Sequence, residues 1–201
     1  IAISTEVQKR ISRIYERKSV IIYPPVDTNR FVPSVEQGSY FLVVSRLIPY
    51  KRIDLAVEAC TKLGVSLKIA GEGRDRDRLQ ALAGDNIEFL GRVSDADLPD
   101  LMAGCKALLF PGIEDFGITP LQAMASGRPV IAFAGGGALD YVREGETGNL
   151  ISYQTVEAFM DGIERFGTYK FNYLSIRQFS LKFDQSVFEQ KIREFVATAM
   201  N

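Results

Sequence analysis

Arg46 and Lys51 are the first residues whose type and spacing suggest chemistry: two cations on one short loop, directly after the apolar run Tyr40-Phe41-Leu42-Val43-Val44-Ser45. Neighbouring cations suit a ligand with several negative charges, above all a phosphate or pyrophosphate. Further along, Glu114-Asp115-Phe116-Gly117-Ile118-Thr119-Pro120-Leu121-Gln122 reads as the entry to a helix. Thr119 is a good N-cap, Pro120 then falls at the first helical position, and Gln122 completes a capping-box pattern. The unpaired amides of Gly117, Ile118 and the following turn would face outward with the positive end of the helix dipole behind them, which favours an anion. Gly135-Gly136-Gly137 would let a ligand approach the backbone closely and would open a second helix.

Each of these residues also has a purely structural reading. Arg46 and Lys51 taken alone are ordinary surface charges, Glu114 a solvated loop carboxylate, and Gln122 is explained by capping. Gly71-Glu72-Gly73 lacks the third glycine of a dinucleotide fingerprint, which argues against a nicotinamide or flavin site. Asp75-Arg76-Asp77 and Asp95-Ala96-Asp97 have a spacing used by some metal sites, but both open helices, where acidic residues favour the dipole; they read as structural. The sequence contains no histidine, so a His-ligated metal and a Ser-His or Cys-His nucleophile are excluded, and most hydrolases with them. Cys60 and Cys105 lie within apolar segments and read as buried, inert thiols of a reducing compartment.

The elements that must position these loops follow from the hydrophobic pattern. Residues 40–45, 65–70, 87–90, 107–110 and 129–133 are short apolar runs. Helical patterns alternate with them: Asp54 to Leu63, Arg74 to Ala83, one capped by Ser94 and reaching Gly104, and one ending at Ser126-Gly127. Pro99 is awkward inside the third helix, because past the first turn it removes a hydrogen bond. Strands apolar throughout, each followed by a helix, imply an α/β fold: a Rossmann-like parallel sheet sandwiched by helices. In such sheets ligands bind beyond the carboxyl ends of the strands, where all the loops above lie.

Ahead of this alternation comes an arm: a helical pattern with Val7, Ile11 and Ile14 on one side, a short strand at Ser19 to Tyr23, and a Pro-rich connector from Pro24 to Gly38. Residues 1–38 are therefore read as the edge of a preceding domain plus a linker, and residues 39–201 as the domain proper. Two helices close the chain around a polar break at Gly167 to Asn172. The second carries a stripe of Phe183, Val187, Phe188, Ile192, Phe195 and Val196 that needs a partner surface.

Composition narrows the class. Lys+Arg number 24 against Asp+Glu 25, so the chain is not built to coat nucleic acid. Apolar residues at 46% and charged residues at 24% describe a soluble globular protein, and no apolar run approaches the roughly 20 residues of a membrane span. The start Ile1-Ala2-Ile3-Ser4 has neither a Met nor the marks of a signal peptide, so a piece of a longer chain is expected.

Five motifs in fixed order then carry a resemblance: Ser45-Arg46-Leu47-Ile48-Pro49-Tyr50-Lys51-Arg52, Gly71-Glu72-Gly73, Phe89-Leu90-Gly91-Arg92-Val93-Ser94-Asp95, Glu114-Asp115-Phe116-Gly117-Ile118-Thr119-Pro120 and Gly135-Gly136-Gly137. From about Tyr40 to Leu150 the chain resembles the C-terminal, donor-binding half of a retaining family 4 (group 1) glycosyltransferase of the GT-B fold. Ile21-Ile22-Tyr23-Pro24-Pro25-Val26-Asp27 looks like that family's interdomain link. The Glu-Asp-Phe-Gly-Ile-x-Pro form is similar to bacterial mannosyltransferases of surface-polysaccharide assembly.

The resemblance implies a nucleotide-diphosphate sugar, GDP-mannose in first place, as donor substrate, with neither cofactor nor metal. Arg46 and Lys51 would grip the diphosphate, Glu114 would contact the donor sugar, and backbone groups of Phe116, Gly117 and Ile118 would hold sugar and phosphate, with Gly71 and Thr119 beside them. Val93 would lie against the base. Catalysis would rest on Glu114, Arg46 and Lys51. Gln122 departs from the pattern: the family's second glutamate, which holds the ribose hydroxyls, is an amide here. An amide accepts with its oxygen but must aim its NH2 elsewhere. The acceptor, a saccharide or lipid-linked saccharide, would belong to the missing N-terminal domain, as would any peripheral membrane association. The fragment alone would bind donor but transfer poorly. A cytoplasmic location is expected, with no nucleic-acid partner. Two alternatives stay open: a sugar-nucleotide epimerase or phosphorylase on the same architecture, and a non-catalytic nucleotide-sugar-binding module in which Gln122 marks lost activity.

Overall fold

A computed structural model describes residues 1–34 and 38–199. Six strands form one sheet in the order β3-β2-β1-β4-β5-β6: β1 (Tyr40–Val44), β2 (Leu67–Ala70), β3 (Ile87–Gly91), β4 (Cys105–Phe110), β5 (Val130–Phe133) and β6 (Gly148–Ile151). Every pairing is parallel. Alternate residues of the central strands enter two separate cores, one per face. Phe41 and Val43 of β1, Ala107 and Leu109 of β4 and Ile131 of β5 join one; Leu42, Leu108, Val130 and Ala132 join the other. Helices α2 (Ile53–Leu63) and α7 (Val156–Phe166) cover the first face, and α5 (Ile118–Ala125) with α8 (Tyr173–Ser180) the second. The Rossmann-like sandwich read from the apolar runs is thus the fold.

Several local expectations change. Helix α3 runs Arg76–Leu82, and α4 covers Leu98–Ala103 rather than starting at Ser94. Ser94 instead shapes the turn ahead of α4, accepting from the Asp97 amide at 3.2 Å. Pro99 then sits in the first helical turn, where no intrahelical bond is lost, so the expected awkwardness disappears. Between β5 and β6 lies the four-residue α6 (Ala138–Tyr141). The sixth strand, β6, has no apolar run of its own beyond Leu150-Ile151, which hid it from the hydrophobic pattern.

In the arm, α1 (Thr5–Tyr15) is capped by Ser4, whose hydroxyl accepts from the Val7 amide at 3.1 Å. The strand expected at Ser19 to Tyr23 reduces to a single bridge, Ala2 to Ile21, because only Ala2 presents a partner to it. Residues 35–37 of the connector lie outside the described residues. After α7, the first of the two closing helices expected, the single helix read beyond the break is three pieces: α8, a 3-10 turn at Leu181–Phe183, and α9 (Gln185–Ala199). Arg177 of α8 ties the arm to α5 by donating to the carbonyls of Thr28, Phe31 and Ala125. Among the described residues no helix is long and apolar enough to cross a membrane.

Candidate functional site

The strand order reverses between β1 and β4, so the loops after these two strands leave in opposite directions and open a crevice between them. The β1 loop is built on backbone contacts. Leu47, fully buried, donates its amide to the Glu72 carbonyl at 2.9 Å and accepts from the Asp75 amide at 3.0 Å. Gly71 has φ +133°, and a β-carbon there would lie 1.8 Å from the Ser45 carbonyl oxygen. Its glycine is thus required by the chain's own packing. A 3-10 turn at Pro49–Lys51 follows, and Arg52 leaves it in the left-handed region at φ 51°.

That turn delivers Lys51 across the crevice. Gly112, directly after β4, has no side chain to hold off the β1 loop; a β-carbon there would sit 2.9 Å from the Lys51 carbonyl oxygen. Lys51 Nζ and Glu114 Oε1 form an ion pair between side chains only 16% and 24% exposed. Arg46, on the same loop, is exposed, and its guanidinium has no partner among the described residues. Of the two cations, one is spoken for within the chain and one is available.

The β4 loop rests on the loop after β5. The Gly137 amide donates to the Glu114 carbonyl at 2.9 Å. Gly136 has φ +60°, and a β-carbon on it would lie 2.1 Å from that same carbonyl oxygen. Here the glycines admit the protein's own loop; the expected close approach of a ligand is not what they are seen to accommodate. Phe116 turns inward, 3% exposed, with its ring stacked on Tyr23 at 5.6 Å. Its carbonyl accepts a hydrogen bond from the Tyr141 hydroxyl at 2.7 Å.

The helix begins two residues earlier than expected. Gly117, at φ 87° and ψ 98°, is the N-cap, and α5 starts at Ile118 with no side-chain cap. Thr119 is therefore not the cap and Gln122 closes no capping box. The reason is local: a glycine takes a positive φ that other residues resist, so the chain turns into the helix at Gly117. Pro120 occupies the third helical position, still among the four whose amides lack an intrahelical acceptor. With no side chain over its end, α5 offers the amides of its first turn and its dipole to the crevice. Ile118 is exposed, Thr119 half-buried, and Gln122, one turn further on, half-buried with no side-chain partner among the described residues.

Lys51, Glu114 and the segment from Phe116 to Thr119 are thus brought together at the switch point. Gly71 lies beneath the β1 loop. Val93, half-buried, follows β3, two strands away from β1, and connects to the others through the Gly71 amide, which donates to the Gly91 carbonyl at 2.7 Å.

Three contacts at the site had no signal in the sequence. Arg10 of α1 pairs with Asp115 at 2.6 Å, the Thr5 amide donates to Asp140 at 2.8 Å, and Tyr141 holds the Phe116 carbonyl. Arg10 stands among the charges of a polar helical pattern, and Tyr141 belongs to none of the motifs. Burial, with lesser effects of Glu114 and Asp140, pushes the Tyr141 phenol well above its ordinary value, so it remains a donor. Burial also pushes the thiols of Cys60 and Cys105 up to about 12, which keeps both protonated and unreactive at neutral pH.

The sequence profile of the glycosyl transferases group 1 family matches residues 26–170. The chain is 28% identical over 193 residues to an O-antigen chain mannosyltransferase of Salmonella typhimurium, covering 86% of this chain and 55% of that protein. It is also 28% identical over 170 residues to an alpha-1,3/1,6-mannosyltransferase of Dictyostelium discoideum, covering 70% and 40%. The chain thus spans about half the length of the curated relatives it matches. Among solved structures, HepE from Anabaena in complex with UDP superposes with a TM-score of 0.84 at 23% identity, over 98% of this chain and 63% of that one. A lipopolysaccharide outer core galactosyltransferase in its apo form gives 0.83 at 22%, over 98% and 61%. These likenesses carry the fold, and the family match extends through the loops after β1 and β4 that flank the crevice. The chain belongs to the group 1 glycosyl transferases.

Proposed function

We propose that this domain binds a nucleotide-diphosphate sugar, GDP-mannose in first place, in the crevice between β1 and β4. The longer enzyme would transfer the sugar, with retention of configuration, to an acceptor held by a domain preceding this one. The observation that carries the reading is the meeting of Lys51 and Glu114 at the open amino end of α5. A diphosphate entering there finds a second cation, Arg46, that is not engaged elsewhere, and amides at Gly117 and Ile118 with the helix dipole behind them. As Lys51 turns to the phosphate, Glu114 is released to accept hydroxyl hydrogen bonds from the sugar.

In the proposed reaction the bond between the sugar's anomeric carbon and the diphosphate oxygen breaks as the acceptor hydroxyl oxygen bonds to that carbon from the same face. The hydroxyl proton passes to a phosphate oxygen of the leaving group, which fits a chain without histidine. Arg46 and Lys51 stabilise the charge that grows on the diphosphate; one such contact is worth about 3 kcal/mol of barrier. Mannose is favoured by the activities of the relatives, one of them a GDP-mannose-dependent mycobacterial mannosyltransferase. UDP in the HepE structure keeps the uridine donors in the comparison.

Calorimetric titration of the chain with GDP-mannose and with UDP- and ADP-sugars tests this. Binding of GDP-mannose that weakens on Arg46→Ala is expected; no binding of any of them would contradict the proposal. A second reading, a binding module without transfer, is favoured by one observation, the amide Gln122 at the helix position where the resemblance expects a carboxylate. Donor hydrolysis by a longer chain that appears only with Gln122→Glu would decide for that reading.

A further inference from the structure

We propose that Tyr141 is a positioning residue for phosphate binding: its hydroxyl fixes the peptide between Phe116 and Gly117 so that the Gly117 amide points outward to the diphosphate. The inference rests on the donor-site reading above and deepens it. Tyr141 ends α6 with no exposed surface, and its hydroxyl donates to the Phe116 carbonyl at 2.7 Å. The peptide is trans and planar, so its carbonyl and N–H point in opposite directions. A carbonyl drawn into the core by Tyr141 therefore turns the N–H of Gly117 away from the core, on the side where α5 begins. Gly117 depends on the same arrangement: its φ of 87° is one that residues with a side chain rarely adopt, and a β-carbon there would lie 2.8 Å from the Tyr141 hydroxyl and 2.9 Å from Phe110.

The support is itself rigid. The Thr147 hydroxyl, in a residue 3% exposed, donates to the Tyr141 carbonyl at 2.9 Å and accepts from the Arg143 amide at 2.8 Å. The tyrosine ring packs edge-on against Phe116 at 5.8 Å and Phe183 at 6.3 Å. Tyr141→Phe would keep these ring contacts and remove only the hydroxyl. The freed carbonyl would then seek another donor, and the flexible glycine beside it would let the peptide turn, taking the amide with it.

Calorimetry with GDP and UDP, and ligand-observed magnetic resonance with guanosine and uridine, should be run on the wild-type chain and on Tyr141→Phe. For whichever diphosphate the wild type binds, the variant should bind about tenfold more weakly, while affinity for the matching nucleoside stays unchanged. Equal losses for diphosphate and nucleoside, or none for the diphosphate, would overturn the assignment of Tyr141 and leave the donor site standing. Failure of the wild type to bind GDP or UDP would overturn the donor site itself. A second measurement needs no variant: in the 15N-labelled wild type, saturating diphosphate should shift the Gly117 amide resonance strongly, and an unmoved resonance would refute the proposal.

Discussion

Two ion pairs near the carboxyl edge of the sheet look alike and do different things. Arg78 grips Asp75 with two hydrogen bonds, at 2.7 and 2.8 Å, three residues apart in sequence. Lys51 meets Glu114 across 63 residues, between loops from the two strands that flank the switch point. The first pair is local and lies at the start of α3, where the Asp75 amide also bonds to the Leu47 carbonyl and Arg78 reaches Asp54 as well. The second pair is assembled by the fold and sits before an uncapped helix end, on the same loop as Arg46, whose guanidinium has no partner among the described residues. A charge pair that neighbours in sequence can satisfy belongs to the scaffold. One that the topology must assemble, with donors still free around it, is where a ligand can compete.

This contrast can be broken most forcefully through the backbone. Gly136→Ala would place a β-carbon 2.1 Å from the Glu114 carbonyl oxygen at a positive φ, forcing the β4 loop away from β5. A stability loss of about 3 kcal/mol is expected in urea denaturation, together with loss of nucleotide binding. Lys51→Ala should act on binding more than on stability: affinity for a nucleotide diphosphate falls by about 2 kcal/mol in calorimetry, while urea denaturation shows a loss of about 1 kcal/mol as the largely buried Glu114 loses its partner.

Asp75→Asn should do the reverse, leaving nucleotide affinity intact and lowering stability by no more than about 1 kcal/mol, because Arg78 is half exposed and screened. This effect has a pH signature. The hydrogen bond from Arg78 holds the Asp75 carboxyl below its ordinary value against the opposing effect of burial. The folded state therefore binds its proton less readily than the unfolded chain, and the contribution is fully present above the ordinary value of 3.8 and is lost as pH falls through the depressed one. Wild type and Asp75→Asn should differ in melting temperature at pH 7 and converge at strongly acid pH.

The sequence exposed the scaffold because parallel strands buried on both faces must be apolar throughout, and five such runs stood clear of their surroundings. β6 did not, since Gly148 and Asn149 make half of it. The crevice loops were legible from their position after strands and from their order. Their geometry was not: Thr119 has good capping chemistry, but a glycine two residues earlier turned the chain first. Tyr141 was invisible for a different reason. Its side chain acts on the backbone of a residue 25 positions away, and only the fold brings α6 under the β4 loop.

Hydrogen–deuterium exchange on the chain with and without GDP or UDP tests the central claim most directly. New protection should appear at residues 46–51 and 116–119, and not at 76–82 around the Asp75–Arg78 pair. Protection absent from both crevice loops at saturating nucleotide, or confined to other parts of the sheet, would contradict a diphosphate site between Lys51 and the amino end of α5.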